Sequence, residues 1–222
     1  RVAIFGGTGF CGYWMHKTQS PDLQCSYIGQ AEYERGEWRQ VRWDYLVFLP
    51  HIPPTDVLLV ARQHNSRFLF ASSGIVYHSE NDTEYRRNKI LWEGECLNSG
   101  ADVVIARLFT FYGHKLDRHK AFTTFTERAQ RNEPIIVTGD GGTVRSYMHG
   151  RDLGLWMWAI LLNGVRGEAY DVGDDVPITM IELAEKIIKR ERSKSEIVIE
   201  GGRDPMPRYL PVDTPKTRKL IL

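Results

Sequence analysis

The apolar run Val2-Ala3-Ile4-Phe5 leads straight into glycines at positions 6, 9 and 12, and few folds accommodate that juxtaposition. An uninterrupted apolar strand suits the middle of a parallel sheet that is covered on both faces. The glycines at its carboxyl end leave backbone without Cβ atoms. Phe10, Tyr13 and Trp14 then offer apolar faces for a helix. A dinucleotide pyrophosphate needs this arrangement: close backbone approach, and a helix N-terminus whose free N–H groups face the anion. The spacing is Gly-x-x-Gly-x-x-Gly, shifted from the better-known Gly-x-Gly-x-x-Gly, and a short glycine cluster after a strand can be only a turn. The chemistry further along the chain decides between the two.

Strand and helix patterns alternate through the first half. Residues 44–49 read as an apolar strand ended by Pro50, and Thr55 as the N-cap of a helix through Val57, Leu58 and Val60 to His64. Residues 67–73 form a further strand that ends in two hydroxyls. A helix from about Thr83 carries Tyr85, Lys89 and Trp92 and stops at Gly100, a suitable C-terminal glycine. Residues 102–109 are the next strand, whereas residues 22–43 are polar and irregular. The alternation predicts an α/β fold, a Rossmann-type doubly wound parallel sheet with ligands outside the carboxyl ends of its strands. Gly6, Ser73 and residues 109–113 fall at those ends.

The second half changes character. A helix is expected over 121–132, a strand over 134–138 and a tight turn at Gly139-Asp140-Gly141-Gly142. Asp152 is expected to cap an apolar helix ending near Gly164, with a short strand over 169–173. Thr179-Met180-Ile181-Glu182 is a capping box opening a helix to about Arg190. Residues 196–200 alternate as a strand, and prolines 205, 207, 211 and 215 predict an extended tail. Residues 1–113 therefore read as a dinucleotide-binding domain and 114–222 mainly as a smaller C-terminal α/β substrate lobe, with segments near 145–173 returning to the large sheet.

Composition excludes several classes. With 29 basic and 28 acidic residues, net charge +1, no global field favours nucleic acid or an anionic membrane. The basic cluster over 189–194 contains Glu191 and reads as a solvated helix end. Cys11, Cys25 and Cys96 have no metal-ligand spacing and are odd in number, which fits reduced thiols in a cytoplasmic compartment and no metal site. No leader is expected, because residue 1 already enters a strand. The most apolar helix, residues 153–162, is half the ~20 residues a membrane span requires.

Ser73, Tyr85 and Lys89 carry the second chemical signal. Tyr85 and Lys89, four apart on one helix, share a face with Cβ atoms about 5–6 Å apart. A phenol titrates near ~10 in water, and a neighbouring ammonium and a bound nicotinamide cation would both favour the phenolate. Ser73 would hold the substrate oxygen and share its proton. Such a trio moves a hydride to or from an oxygen-bearing carbon, although Tyr-x-x-x-Lys alone recurs by chance on amphipathic helices.

Several motifs occur in a familiar order: Gly6-Gly7-Thr8-Gly9-Phe10-Cys11-Gly12, Ala71-Ser72-Ser73-Gly74-Ile75-Val76-Tyr77, Tyr85-Arg86-Arg87-Asn88-Lys89 and Arg107-Leu108-Phe109-Thr110-Phe111-Tyr112-Gly113. Gly139-Asp140-Gly141-Gly142-Thr143-Val144-Arg145-Ser146-Tyr147 with Asp152-Leu153, and Tyr170-Asp171-Val172-Gly173, complete the set. Together they resemble the extended short-chain dehydrogenase/reductases, the NAD-dependent sugar-nucleotide epimerase/dehydratase family. The resemblance covers most of the chain and is weakest over 15–43. It implies Gly6, Gly9 and Gly12 beneath a cofactor pyrophosphate, with the Phe10 and Cys11 amides facing it. It also implies Lys89 on the nicotinamide ribose, and Ser73 and Tyr85 as the catalytic hydroxyl pair. Thr110 stands where an asparagine usually touches the sugar nucleotide; Arg145 and Arg203 match diphosphate-binding arginines.

The departures are specific. Phe48-Leu49-Pro50-His51 replaces a histidine or asparagine followed by small residues, and His78 replaces a glycine. The resemblance implies NAD as the cofactor; the acidic residue that would grip the adenine ribose is not recognisable between His16 and Asp22, so NADP is not excluded. This join and the one between Tyr77 and Tyr85 are short, and we read them as places where the sequence closes over segments of a longer chain. An intact mass of 25.6 kDa would refute that reading.

The family's 4,6-dehydratases and decarboxylating members place acidic residues after the catalytic hydroxyl, where this chain has Gly74 and Ile75. The expected activity is therefore epimerisation of a nucleotide-activated sugar or reduction of its 4-keto form. A dehydratase, or a catalytically silent cofactor-binding member, is the alternative. A homodimer through Ile90, Leu91, Trp92 and Leu97 is also implied, although core packing would use the same residues.

Overall fold

The computed structural model describes residues 1–115, 120–202, 206 and 208–221. Its elements run β1 (Val2–Phe5), α1 (Phe10–Thr18), β2 (Cys25–Ile28), α2 (Gln30–Arg35), β3 (Tyr45–Phe48), α3 (Thr55–His64), β4 (Arg67–Ser73), α4 (Glu84–Asn98), β5 (Asp102–Leu108) and β6 (Phe111–Tyr112). There follow α5 (Ala121–Gln130), β7 (Ile135–Thr138), β8 (Val144–Arg145), β9 (Met148–His149), α6 (Gly150–Asn163), β10 (Ala169–Val172), β11 (Ile178–Thr179), α7 (Met180–Glu191), β12 (Ile197–Gly201), β13 (Arg208–Tyr209) and α8 (Thr214–Arg218).

Successive strand residues point to opposite faces, and here both faces are apolar. Val2, Ile4, Val47, Leu69 and Val104 meet Met15 of α1 and Leu153, Met157 and Leu161 of α6. Ala3, Phe5, Leu46, Phe48, Phe68 and Phe70 meet Val57 and Ala61 of α3 and Trp92 and Cys96 of α4. A strand buried on both sides needs helices on both sides, which makes the sheet doubly wound as expected. Among the described residues six strands form it, in the order β2-β1-β3-β4-β5-β10, every pair parallel. The chain leaves β1 for β2 on one side and reaches β3 on the other, so the crevice opens at the carboxyl ends of β1 and β3. A third apolar cluster joins Phe125 and Ala129 of α5, Ile135 and Val137 of β7 and Leu183, Ala184 and Ile187 of α7. It carries the small sheets β11-β8-β13 and β12-β7. No helix among the described residues is long and apolar enough to cross a membrane.

Five local expectations are corrected. The region 22–43 holds a strand, β2, whose Cys-Ser-Tyr-Ile sequence is only half-buried at the sheet edge and therefore shows no clean periodicity. Thr55 is the first residue of α3, and Pro54 holds the cap position without a side-chain bond. His149, not Asp152, caps α6: its Nδ1 accepts from the Arg151 amide (3.2 Å), and Asp152 lies in the first turn, where its charge suits the helix dipole. The proline-spaced tail contains β13 and α8, because Tyr209 pairs in register with Arg145 and Asp213 caps α8. Trp92, named for a dimer face, is 5% exposed and belongs to the core, whereas Ile90, Leu91 and Leu97 are 42%, 57% and 45% exposed.

Candidate active site

The turn after β1 is built for close approach. Gly6 has φ +79° and its carbonyl accepts from the Gly9 amide (3.1 Å). A Cβ on Gly12 would fall 2.4 Å from Gly7 Cα, so glycine at 12 lets α1 begin hard against the turn. Gly9 holds the N-cap of α1 with no side-chain bond, and the first turn carries no acidic residue. An uncapped, carboxylate-free helix start at a parallel-sheet switch point offers its N–H groups, those of Phe10 and Cys11 among them, to an anion. Phe10 stacks on Phe111 (4.8 Å between centroids), and burial pushes the Cys11 thiol up to about 12, so it stays protonated. These residues fit the pyrophosphate of a dinucleotide.

Beside this turn, Ser73 ends β4 and Tyr85 and Lys89 project from α4. Thr83 caps α4 by accepting from the Arg86 amide (3.2 Å). All three side chains line one cavity of 710 Å³. Ser73 is 5% exposed and accepts from the Ile75 amide (3.3 Å). Lys89 is 3% exposed; its Nζ donates to Ala71 O (2.8 Å) and lies 5.9 Å from the Tyr85 ring centre. Thr110 and Arg145 line the same cavity, where Arg145 donates to Val144 O (2.9 Å). Arg203 lies outside the described residues. Among the described lining residues there is no carboxylate, while Lys89, Lys120 and Arg145 contribute three cations.

One electrostatic expectation is reversed in the protein without cofactor. The Tyr85 phenol is pushed up, because burial outweighs the lowering by its hydrogen bond with Ser73. Burial instead lowers Lys89, to about 8, against the opposing pull of Glu93. Desolvation penalises the charged form of both groups and is the largest influence on each. Tyr85 is therefore a protonated donor until a further positive charge arrives.

Two lining residues were not assigned from the sequence. His51 lies with its ring 4.5 Å from that of Tyr85 and 5.4 Å from Trp92, and burial followed by the Lys89 charge lowers its pKa. Tyr209 reaches Ser73: the two side-chain oxygens are 3.2 Å apart. Tyr209 sits in a two-residue strand within the proline-spaced tail, too short to show any period.

A model of the NAD dependent epimerase/dehydratase family matches residues 50–173 of the chain. Among curated relatives, UDP-glucuronic acid decarboxylase 1 of Arabidopsis thaliana is 28% identical over 155 residues, 60% of this chain and 35% of the relative. A dTDP-glucose 4,6-dehydratase of Streptomyces niveus is 33% identical over 90 residues, 40% of this chain and 27% of the relative. The chain thus spans well under two thirds of their length. Among solved structures, the fold matches dTDP-glucose 4,6-dehydratase from Bacillus anthracis in complex with NAD. The TM-score is 0.84 and the identity 17%, covering 98% of this chain and 89% of that one. It also matches the Thermus thermophilus UDP-glucose 4-epimerase complex with NAD (TM-score 0.81, 18% identity, 99% and 92% covered).

Proposed function

The chain belongs to the NAD dependent epimerase/dehydratase family, and on that premise we propose that it is an NAD(P)-dependent oxidoreductase or isomerase of a nucleotide-activated sugar. The observation that carries the reading is that Ser73, Tyr85 and Lys89 share one cavity with Thr110 and Arg145, with Tyr85 and Lys89 within electrostatic reach of Cys11 in the first turn of α1. In this reading Gly6, Gly9 and Gly12, with the Phe10 and Cys11 amides, hold the cofactor pyrophosphate. Lys89, which has N–H donors beyond the one given to Ala71 O, holds the nicotinamide ribose. When bound, the nicotinamide supplies the hydride acceptor and donor. Arg145 offers a guanidinium fork to the substrate diphosphate, Arg203 a second, and Thr110 a hydroxyl to the sugar nucleotide.

The chain's own work is proton transfer. In the reducing direction the neutral Tyr85 phenol donates its proton to the substrate carbonyl oxygen as that oxygen gains charge. In the oxidising direction Tyr85 must first be a phenolate, and the buried Lys89 ammonium with the cofactor's positive charge favours that form. Ser73 holds the same substrate oxygen and shares the proton. Epimerisation runs both directions in succession; reduction of a 4-keto sugar runs one.

Dehydratase and decarboxylase relatives make elimination the second reading. Against it, Gly74 leaves no room for a side chain: a Cβ there would fall 2.3 Å from the Phe109 ring. An acid directly after Ser73 would have to displace that ring. A cofactor-bound but silent member is the remaining alternative, favoured by Leu49-Pro50-His51 at the end of β3 and opposed by retention of all three catalytic side chains.

Incubation with NAD and a panel of UDP-glucose, UDP-glucuronic acid and dTDP-glucose, with products identified by NMR, separates these readings. Tyr85→Phe is expected to cut turnover by about a hundredfold to ten-thousandfold while NAD binding stays near wild type; unchanged turnover removes the mechanism. We further propose a homodimer through α3 and α4, whose outer faces expose Leu59, Ile90, Leu91 and Leu97.

A further inference from the structure

The direction of one hydrogen-bond chain in the cavity follows from proton counting. The Tyr209 hydroxyl is 3.2 Å from Leu108 O and 3.2 Å from Ser73 Oγ. A carbonyl carries no proton, so the phenolic proton of Tyr209 goes to Leu108 O. The proton between Ser73 and Tyr209 is then the serine's own, and Ser73 donates while Tyr209 accepts. Ser73 Oγ also receives the Ile75 N–H (3.3 Å). A hydroxyl has one proton and two lone pairs, so one lone pair is left to accept from the cavity that Ser73 and Tyr85 both line.

We infer that Tyr209 is a positioning residue for Ser73: by accepting the serine proton it leaves the remaining lone pair of Oγ free to accept from a donor in the cavity, the Tyr85 phenol or the hydroxyl of a substrate about to be oxidised. The inference rests on the proposed function, in which Ser73 holds that oxygen. Tyr209 is itself held in place. Its ring lies 4.9 Å from that of Phe109 and 5.3 Å from His78, and it is 8% exposed. The segment after it is fastened to the sheet, with the Val212 and Asp213 amides donating to Asp171 Oδ2 (2.7 and 3.0 Å). Tyr77 donates to the other Asp171 oxygen (3.0 Å) and accepts from Arg107 (2.7 Å). Burial keeps the Tyr209 proton in place, its pKa pushed up to about 12. Tyr209 also pairs in register with Arg145, whose guanidinium carbon is 5.9 Å from its ring centre. One side chain therefore spans from the proposed diphosphate ligand to the proposed catalytic serine.

The test is a double-mutant cycle on the full chain with Ser73→Ala, Tyr209→Phe and both. Tyr209→Phe removes one oxygen and keeps the ring. Denaturant unfolding of the protein without cofactor should show a coupling between the two positions of about tenfold in the folding equilibrium. Zero coupling overturns the inference, whatever the substrate. In turnover of the active sugar nucleotide, Tyr209→Phe should lower kcat about tenfold with KM within about twofold, and cost nothing further in the Ser73→Ala background. Losses that multiply in the double variant sink the positioning role alone. Wild-type turnover by Ser73→Ala sinks the proposed function instead, so the two failures are distinguishable.

Discussion

Lys89 is a cation where a hydrocarbon would pack better. It is 3% exposed among Phe70, Tyr85 and Trp92, and burial lowers it to about 8 from 10.5. Below pH 8 both folded and unfolded chains carry its proton, and the folded state bears a desolvation cost of roughly 3 kcal/mol. Between about pH 8 and 10.5 the unfolded chain binds the proton and the folded one does not, so this group's contribution to stability rises with pH. Lys89→Met should therefore melt above wild type at pH 7 and lose that advantage as pH climbs from 8 to 10, while turnover disappears. Melting curves across that range check it; a constant difference between the two proteins contradicts the assignment. That Ser73, Tyr85 and Lys89 would come to one cavity was legible because the signals are local: a strand-end hydroxyl, and two side chains one helical turn apart. The direction of the Tyr85 shift was not, since it depends on how much water the fold removes from the phenol, a property of the assembled cavity.

At the scale of elements, helices here differ in what their glycines are for. Gly12 is where α1 meets the turn, and its missing Cβ makes room for Gly7 backbone atoms at 2.4–2.6 Å. Backbone cannot give way as a flexible side chain can, so Gly12→Ala should destabilise the chain by more than about 2 kcal/mol. Gly94, in the interior of α4, has nothing within 4 Å of the same hypothetical atom, and Gly94→Ala should gain about 0.5–1 kcal/mol from helix propensity. Denaturant unfolding of the pair reads both signs in one experiment; equal effects would mean the turn is not packed as described. Elements with strong internal patterns, such as β4, α4 and the Thr179–Glu182 capping box, were read close to their observed bounds. In that box the Glu182 amide donates to Thr179 Oγ1 (3.2 Å) and the Thr179 amide to Glu182 Oε2 (2.8 Å). Edge strand β2 and the two-residue strand β13 escaped because half-burial and brevity leave no period to detect.

For the whole molecule, α3 and α4 cover one face of the sheet with their inner sides and leave Leu59, Ile90, Leu91 and Leu97 outward. Side chains of that size 42–57% exposed on two helices over one face of the sheet fit a covered face in solution. Light scattering is expected to give twice the mass of the single chain, and Leu91→Arg to give the single mass with the helical circular dichroism unchanged. A wild-type chain that scatters as a monomer rules the dimer out. The C-terminal segment acts at the same scale: Asp171 at the end of the sheet binds the amides of Val212 and Asp213, and so delivers Tyr209 from the tail to a serine 136 residues earlier.

Sequence alone determined the class of fold and the position of its ligand crevice. An apolar strand run, the glycines after it and the strand-helix alternation are short-range patterns that only a doubly wound parallel sheet satisfies together. Tertiary structure alone decided which residues complete the cavity and how its protons are held. The Ser73–Tyr209 bond, the Phe109 ring that bars a side chain at Gly74, and the uneven desolvation of Tyr85 and Lys89 all join segments far apart in the chain. No local pattern encodes such meetings, because they exist only after the sheet has brought the segments together.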